Sequence, residues 1–514
     1  MNKRHGKLLY SGSQWDFRLL HRVYDAVEEI ALGELGLDVY RNQIEVITSE
    51  QMLDAYAAIG MPLLYRHWSF GKRFAREELL YRKGAQSLAY ELVINSQPCV
   101  SYVMEENTMT MQTLVIAHAA FGHNHFFKNN HLFRQWTRAD RVLDELAYAK
   151  SYIADCEQRY GFAEVESLLD SAHALMSHGV NRYATRRRSP REQQARSEAR
   201  RQHLESTYND LWRTVPTESS DANEVRSIEQ DENDIEAAAL ELPEENLLTF
   251  LANHAPKLKD WQREVLRIVR TLAQYFYPQR QTKMMNEGCA TFVHYEIMNR
   301  LYHRGQIDEG SMLEFLHMHS AVVAQPNFDS RGFGGINPYA LGYAMVRDIA
   351  RICDDPDDED RQWFPEIAGK GRSLETIRDA WEHYRDESFI LQFLSPRLIR
   401  EMRLFKVSDD ADDEHMTVTA IHDESGYREV RRQLAAQYDI SKQEPDIQIS
   451  DANLKGNRRL VLTHRVRDGK LLEKSEANRI LRHLAKLWGY RVRMVEVDAE
   501  TKRPLSEYDA VSMP

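Results

Sequence analysis

The chain is poor in cysteine, has no long apolar run and carries no excess of positive charge. Its four cysteines, at 99, 156, 289 and 353, are scattered through 514 residues, and no two form a C-x-x-C pair. That spacing argues against a disulfide framework and reads as the reduced thiols of a cytoplasmic protein. No apolar stretch approaches the ~18 residues of a membrane helix. The N-terminal MNKRHGKLLYSGSQWDF starts positively but has no apolar region of about 7–15 residues, so no secretory signal is expected. The 67 basic side chains are outnumbered by 79 acidic ones, for a net charge of −12. Sequence-independent nucleic-acid binding depends on neutralising phosphates, so nucleic acid is not an expected partner, and neither is a membrane. What remains is a chain long enough for two to four units at roughly 150 residues each, with 20 histidines.

Periodicity gives the organisation. Residues 14–32 repeat apolar side chains every three or four positions, which predicts an amphipathic helix, and helical patterns follow at 49–58 and 69–80. AYELVINS (89–96) and CVSYVMEE (99–106) alternate like strands across a short Ser-Gln-Pro turn, a hairpin, and strand 99–106 is expected to offer an edge. Thr108 then offers an N-cap to the apolar run MTMQTLVIAHAAFGH. Helices are expected at 134–159, 162–178, 260–277 and 284–302. FDSRGFGGINPYALG (328–342) reads as a loop, and its glycines lack the order of a phosphate-binding fingerprint, so no nucleotide is expected.

These patterns predict an α+β, mainly helical protein in four stretches. Residues 1–183 form the first half of a helical body, with the hairpin and a His-rich helix. Residues 184–245 are a linker or insertion, basic and then acidic, with few apolar residues. Residues 246–400 complete the body. Residues 401–514, with strand-like RLFKVS, MTVTAIHD, PDIQIS, RRLVLTHRV and YRVRMVEV around two helical segments, form a small α+β domain.

Two segments carry chemistry. His118-Ala-Ala-Phe-Gly-His123-Asn-His125 places three histidines in eight residues, and clustered imidazoles are the common way to hold a divalent transition metal. In Asn286-Glu287-Gly288-Cys289-Ala290-Thr291-Phe292-Val293-His294, Glu287 and His294 differ by about 20° around a helix and share a face. Gly288 and Ala290 leave room for another element to pack closely. The expected metal set is His118, His123, Glu287 and His294, with His125 as an alternative to His123, and zinc is the first choice of ion. His303, His317 and His319 are read as helix-surface or outer residues. His118 and His123 are five apart, about 140° on an ideal α-helix, so both face one ion only if the helix widens by a π turn.

The order of hairpin, His-bearing helix and later Asn-Glu-Gly-Cys-Ala resembles gluzincin metallopeptidases over about 200 residues, which implies a zincin-like helical body. Ala119, however, stands where their catalytic Glu would be, and metal-activated water then lacks its proton acceptor. Glu105 or Glu106 before the helix, His294 as proton donor and Tyr339 as a carbonyl-polarising group are the remaining catalytic candidates.

Phe-Gly-His-Asn-His-Phe-Phe-Lys-Asn-Asn (121–130), Met-Asn-Glu-Gly-Cys-Ala-Thr-Phe-Val-His (285–294) and Ile-Asn-Pro-Tyr-Ala-Leu-Gly (336–342) resemble the hallmark segments of the SpoVR family, named for stage V sporulation protein R. The resemblance runs from near Trp15 into the C-terminal domain and is strongest to the YcgB-like branch of Gram-negative bacteria. It implies a role in spore-cortex assembly in spore formers, and elsewhere in stationary-phase or stress responses beside a PrkA-type serine kinase and a von Willebrand A-like protein. It supplies no catalytic residues. Two functions stay open: a metal-dependent hydrolase acting on peptide or amide bonds, and a non-catalytic adaptor of the kinase system.

Overall fold

The computed structural model describes residues 7–57, 64–68, 72, 91–182, 240, 242–327, 330, 334–408, 417–420, 423–454 and 456–511. The helix expected over 69–80 and the charged arm up to residue 239 fall almost wholly outside them. The chain packs as two units, one from 1–155 and 275–443, the other from 156–274 and 444–514.

This division differs from the expected tail starting at 401. The helix Glu424–Tyr438 belongs to the first unit, where Tyr427, Val430 and Leu434 enter its apolar core. Arg431 donates to the Leu394 carbonyl and lays its guanidinium 4.6 Å from the Trp363 ring centre. An apolar stripe and one amphipathic arginine thus assign this helix to the body. No disulfide joins the four buried cysteines. Among the described residues no helix is long and apolar enough to cross a membrane.

In the first unit, α1 (Phe17–Glu28) starts where Asp16 caps the Leu19 N–H at 2.7 Å, and it runs into a π turn at Glu29–Glu34. Strands β1 (Asn42–Ile47), β2 (Glu91–Ile94) and β3 (Cys99–Met104) form a sheet in the order β1-β3-β2. β2 and β3 are the expected antiparallel hairpin, and β1 pairs parallel to β3. The strand expected to offer an edge is therefore the central one. The short NQIEVI segment that covers it has too few alternations to stand out as a strand.

Thr108 caps α2 (Met109–Val115) through the Met111 N–H, as expected. The chain continues without a break as a π-helix over Ile116–His123 and returns to α geometry in α3 (Asn124–Asn129). Behind this rod lie α4 (Lys283–His303), α5 (Glu309–Val322) and α6 (Pro338–Asp354). α4 lies close because small residues meet: a Cβ on Gly122 would stand 2.5 Å from Ala290 Cα, and one on Gly288 would stand 2.5 Å from the Gly342 carbonyl carbon. α6 absorbs the end of the segment read as a loop. Asn337 caps the Tyr339 N–H, Pro338 takes the first helical position, and Gly342 serves helix contact rather than a turn. Strands β4 (Lys406–Ser408) and β5 (Thr417–Ala420) form a separate antiparallel pair.

The second unit contains helices Phe162–Ala174 and Leu247–His254 and a four-stranded sheet of β6 (Asp446–Ala452), β7 (Leu460–Val466), β8 (Val492–Asp498) and β9 (Pro504–Ala510) in sequential order. β7 and β8 are parallel, so a crossover must link them, and α7 (Lys474–Trp488) supplies it. On β7, Leu460, Leu462, His464 and Val466 alternate inward. His464 faces its register partner Glu496 on β8 at 2.9 Å, and the Glu496 carboxylate also accepts from the Leu472 N–H, Ser506 and Tyr508.

Candidate metal centre

The sequence makes the wide turn possible by placing small residues, Ala117, Ala119, Ala120 and Gly122, through the segment 116–123. In a π-helix the hydrogen bonds run i→i+5, so residues five apart fall on one face. His118 and His123 accordingly lie side by side, their ring centres 4.7 Å apart and their planes perpendicular. The Gly122–Ala290 contact brings Glu287 of α4 against them. Its Oε2 lies 3.6 Å from His123 Nε2 and 3.8 Å from His118 Nε2, too far for hydrogen bonds. In tetrahedral coordination with bonds of about 2.0–2.1 Å, neighbouring ligand atoms stand roughly 3.4 Å apart, close to these separations.

Protonation sharpens the picture. His123 Nδ1 lies 3.0 Å from Asn286 Oδ1 and donates to it, which leaves Nε2 as a lone pair. Burial, opposed in part by the Glu287 charge, pushes the His123 pKa down to about 4, so the ring is neutral near pH 7. Burial alone would raise Glu287, but His123, His118 and the Tyr339 hydroxyl hold it below the usual carboxylate range. His118 Nε2 and Glu287 Oε2 are buried without a hydrogen-bond partner among the described residues. Two imidazole nitrogens thus stand 3.6–3.8 Å from one carboxylate oxygen. Such buried acceptors are costly unless a proton or a cation joins them.

Glu91, on β2, reaches the same place. Its Oε1 is 3.6 Å from His118 Nε2, and Glu91, His118 and His123 offer ligand atoms all within 4.8 Å of one another. Its pKa is raised, by burial first, with His118 lowering and Glu287 raising it. The hairpin reading included Glu91 without singling it out. The usable signal was a charged residue in a strand whose β-sheet partner and facing helix are apolar.

His294 stands behind His118 rather than beside Glu287. Its Nδ1 is 2.9 Å from His118 Nδ1, and its Nε2 is 2.9 Å from His319 Nδ1. Both nitrogens of His294 are engaged, so it holds the His118 ring from behind rather than offering a free nitrogen of its own. If His118 Nε2 is kept free as a lone pair, its Nδ1 donates to His294, and His294 Nε2 donates to His319. Burial drives His294 well below the ordinary imidazole value and His319 to about 4. His319 is buried, whereas His317 and His303 are exposed.

His125 turns away. Its Nδ1 sits 3.0 Å from both the N–H and the carbonyl of Asp38, and its ring meets the edge of Trp381. A spacing of seven matches two α turns, but here a π turn intervenes, and the shared face is lost. Glu105 and Glu106 are exposed, and Glu106 accepts from the Ser49 N–H. Tyr339 does reach the centre, where its hydroxyl helps to hold the Glu287 carboxyl below its ordinary range. Ala119 is fully buried.

Asp386, unremarkable in the sequence, holds the start of α4. Its oxygens accept from Met284 N–H and Met285 N–H at 2.9 Å each, and its side chain is inaccessible. Burial pushes its pKa up to about 7 from 3.8, against the pull of those two N–H groups. A folded-state value above the unfolded one means that the stabilisation is complete below about pH 4 and is lost as pH rises through about 7. The denaturation midpoint should fall across that window in the wild type, and Asp386→Asn should flatten the fall. Equal slopes in the two proteins would refute this assignment.

The family profile described as "SpoVR like protein" matches residues 14–443, and "SpoVR-like C-terminal domain" matches 445–499, so the chain belongs to this family. The junction between the two matches coincides with the start of the second unit's C-terminal part at residue 444. The chain is 49% identical over 502 residues to the "Uncharacterized protein YcgB" of Escherichia coli (strain K12), an alignment that covers 97% of this chain and 96% of that protein. No solved structure matches it.

Proposed function

We propose that the chain is a metal-dependent hydrolase of gluzincin-like layout, with a zinc-type divalent ion held by His118, His123 and Glu287 and with peptide or amide bonds as its substrates. The observation that carries this is the convergence of His118 Nε2 and His123 Nε2 on Glu287 Oε2 at 3.6–3.8 Å, with no hydrogen bond to satisfy the carboxylate oxygen. The order of elements supports it: a hairpin, the helix with two histidines, and a later helix bringing a Glu in an E-G-C-A context. A bound ion of this class polarises a carbonyl and lowers the pKa of water. The chain's own part is to fix the ligands: Asn286 orients His123, His294 orients His118, and Tyr339 steadies Glu287. We propose cell-wall peptides or stationary-phase physiology as the setting of such an activity.

Ala119 favours a second reading, an adaptor of a PrkA-type serine kinase system in which the ion has a structural role. Metal analysis of untagged protein tests the shared premise. One equivalent of divalent metal is expected in the wild type and less than about a tenth of that in the His118→Ala, His123→Ala double variant, because two of three ligands are gone. Metal-free wild-type protein that takes up no added zinc would sink both readings.

A further inference from the structure

The helix that carries His118 offers no carboxylate next to it, because position 119 is a buried alanine. The expected substitutes before that helix, Glu105 and Glu106, are exposed on its approach. A carboxylate on β2 nevertheless lies close to both histidines. Glu91 opens β2, antiparallel to β3 and opposite Val103. Strand alternation sets Glu91 and Val93 on one face and the buried Leu92 and Ile94 on the other. Glu91 Oε1 lies 3.6 Å from His118 Nε2, and its ligand-capable oxygen is within 4.8 Å of both imidazoles. The side chains of Glu91 and Glu287 are 17% and 16% exposed, and Oε2 of Glu287, which faces the histidines, is itself buried.

The two carboxylates differ in support. Glu287 lies on α4, its Oε2 near-equidistant from both Nε2 atoms, and Tyr339 also acts on its carboxylate. Glu91 comes from a separate element, with its Oε1 3.6 Å from His118 Nε2. Three protein ligands leave a catalytic-type ion an open position for water, and a carboxylate flanking that position is placed to hydrogen-bond to it.

We propose that Glu91 is the general base of this centre, the group that replaces the missing helix glutamate. The inference rests on the hydrolase reading above. In the step, the Glu91 carboxylate takes a proton from water as the water oxygen forms a bond to the substrate carbonyl carbon. Glu91 then returns that proton to the amide nitrogen as the C–N bond breaks, giving a carboxylic acid and an amine. No oxidant or reductant is required.

The test uses full-length protein loaded with one equivalent of zinc, with 4-nitrophenyl acetate as the probe of metal-activated water. Wild type is expected to hydrolyse it in a zinc-dependent way that the His118→Ala, His123→Ala variant lacks. Glu91→Gln, nearly isosteric, is expected to keep one equivalent of zinc and lose about 100-fold in rate. Glu91→Asp keeps the carboxylate one methylene further back and is the second variant should the glutamine form fail to fold; it too should retain zinc and lose rate. Zinc-loaded Glu91→Gln hydrolysing at the wild-type rate would overturn the base and leave the hydrolase reading standing. Loss of zinc from Glu91→Gln would make Glu91 a ligand and overturn the base equally. A zinc-loaded wild type with no zinc-dependent hydrolysis would remove the hydrolase reading itself.

Discussion

Gly342→Ala is expected to destabilise the first unit by roughly 3 kcal/mol, at the upper end of the range for overpacked cores. The added methyl would stand 2.2 Å from the Met284 carbonyl oxygen and 2.9 Å from Gly288 Cα, both backbone atoms. No side chain can rotate to relieve that overlap, so α4 and α6 must separate. Separation would also draw Glu287, which directly precedes Gly288 on α4, away from His118 and His123. Urea denaturation measures the first effect and zinc titration the second. Gly334→Ala is the control, because among the described residues nothing lies within 4 Å of its added methyl. A Gly342→Ala protein within about 0.5 kcal/mol of wild type, a difference ordinary for surface changes, would show that the two helices yield easily.

Glu496→Ala should cost the second unit roughly 3 kcal/mol, because it strips the buried acceptor from several hydrogen-bond donors at once. Glu496 is fully buried and joined to His464, Ser506, Tyr508 and the Leu472 N–H. Burial alone would raise its pKa, but Ser506, the Leu472 N–H, His464 and Tyr508 together hold it below the ordinary value. Its stabilisation is therefore present above the unfolded carboxylate pKa and is lost as pH falls through the lower folded value. Glu496→Ala should remove that acid-side decline along with the stability. Thermal unfolding of the variant at pH 7 and pH 4 reads both, and a variant as stable as wild type at pH 7 would dismiss the network as a stabilising element.

Local features of the sequence translated well. Thr108 as a cap, the hairpin and the amphipathic helices depend on neighbours along the chain, and periodicity records those. The pairing of Gly288 with Gly342 and of Gly122 with Ala290 was legible only as a hint of close packing, because the partner of a small residue is not written beside it. The parallel strand β1 and the capping carboxylate Asp386 act across long stretches of chain, and nothing nearby marks them. At the candidate centre, the five-residue spacing of His118 and His123 pointed to a π turn, which the helix adopts. The same turn displaces His125, whose seven-residue spacing had suggested a shared face. His294 was legible as near the centre, yet its role depended on His319, a contact between helices. Glu91 escaped notice because a single acidic residue at a strand's start is ordinary in sequence and unusual only once its facing histidines are known.

The π-helix has a further consequence for insertions and deletions. A turn closed by i→i+5 bonds contains one residue more than a turn closed by i→i+4 bonds. Shortening the Ala119-Ala120 pair by one alanine would leave the two histidines four apart on an ordinary α turn, again on one face. The imidazole pair is thus insensitive to the loss of one residue that would scramble most active-site helices. Two proteins can differ in histidine spacing here and still present the same pair of nitrogens.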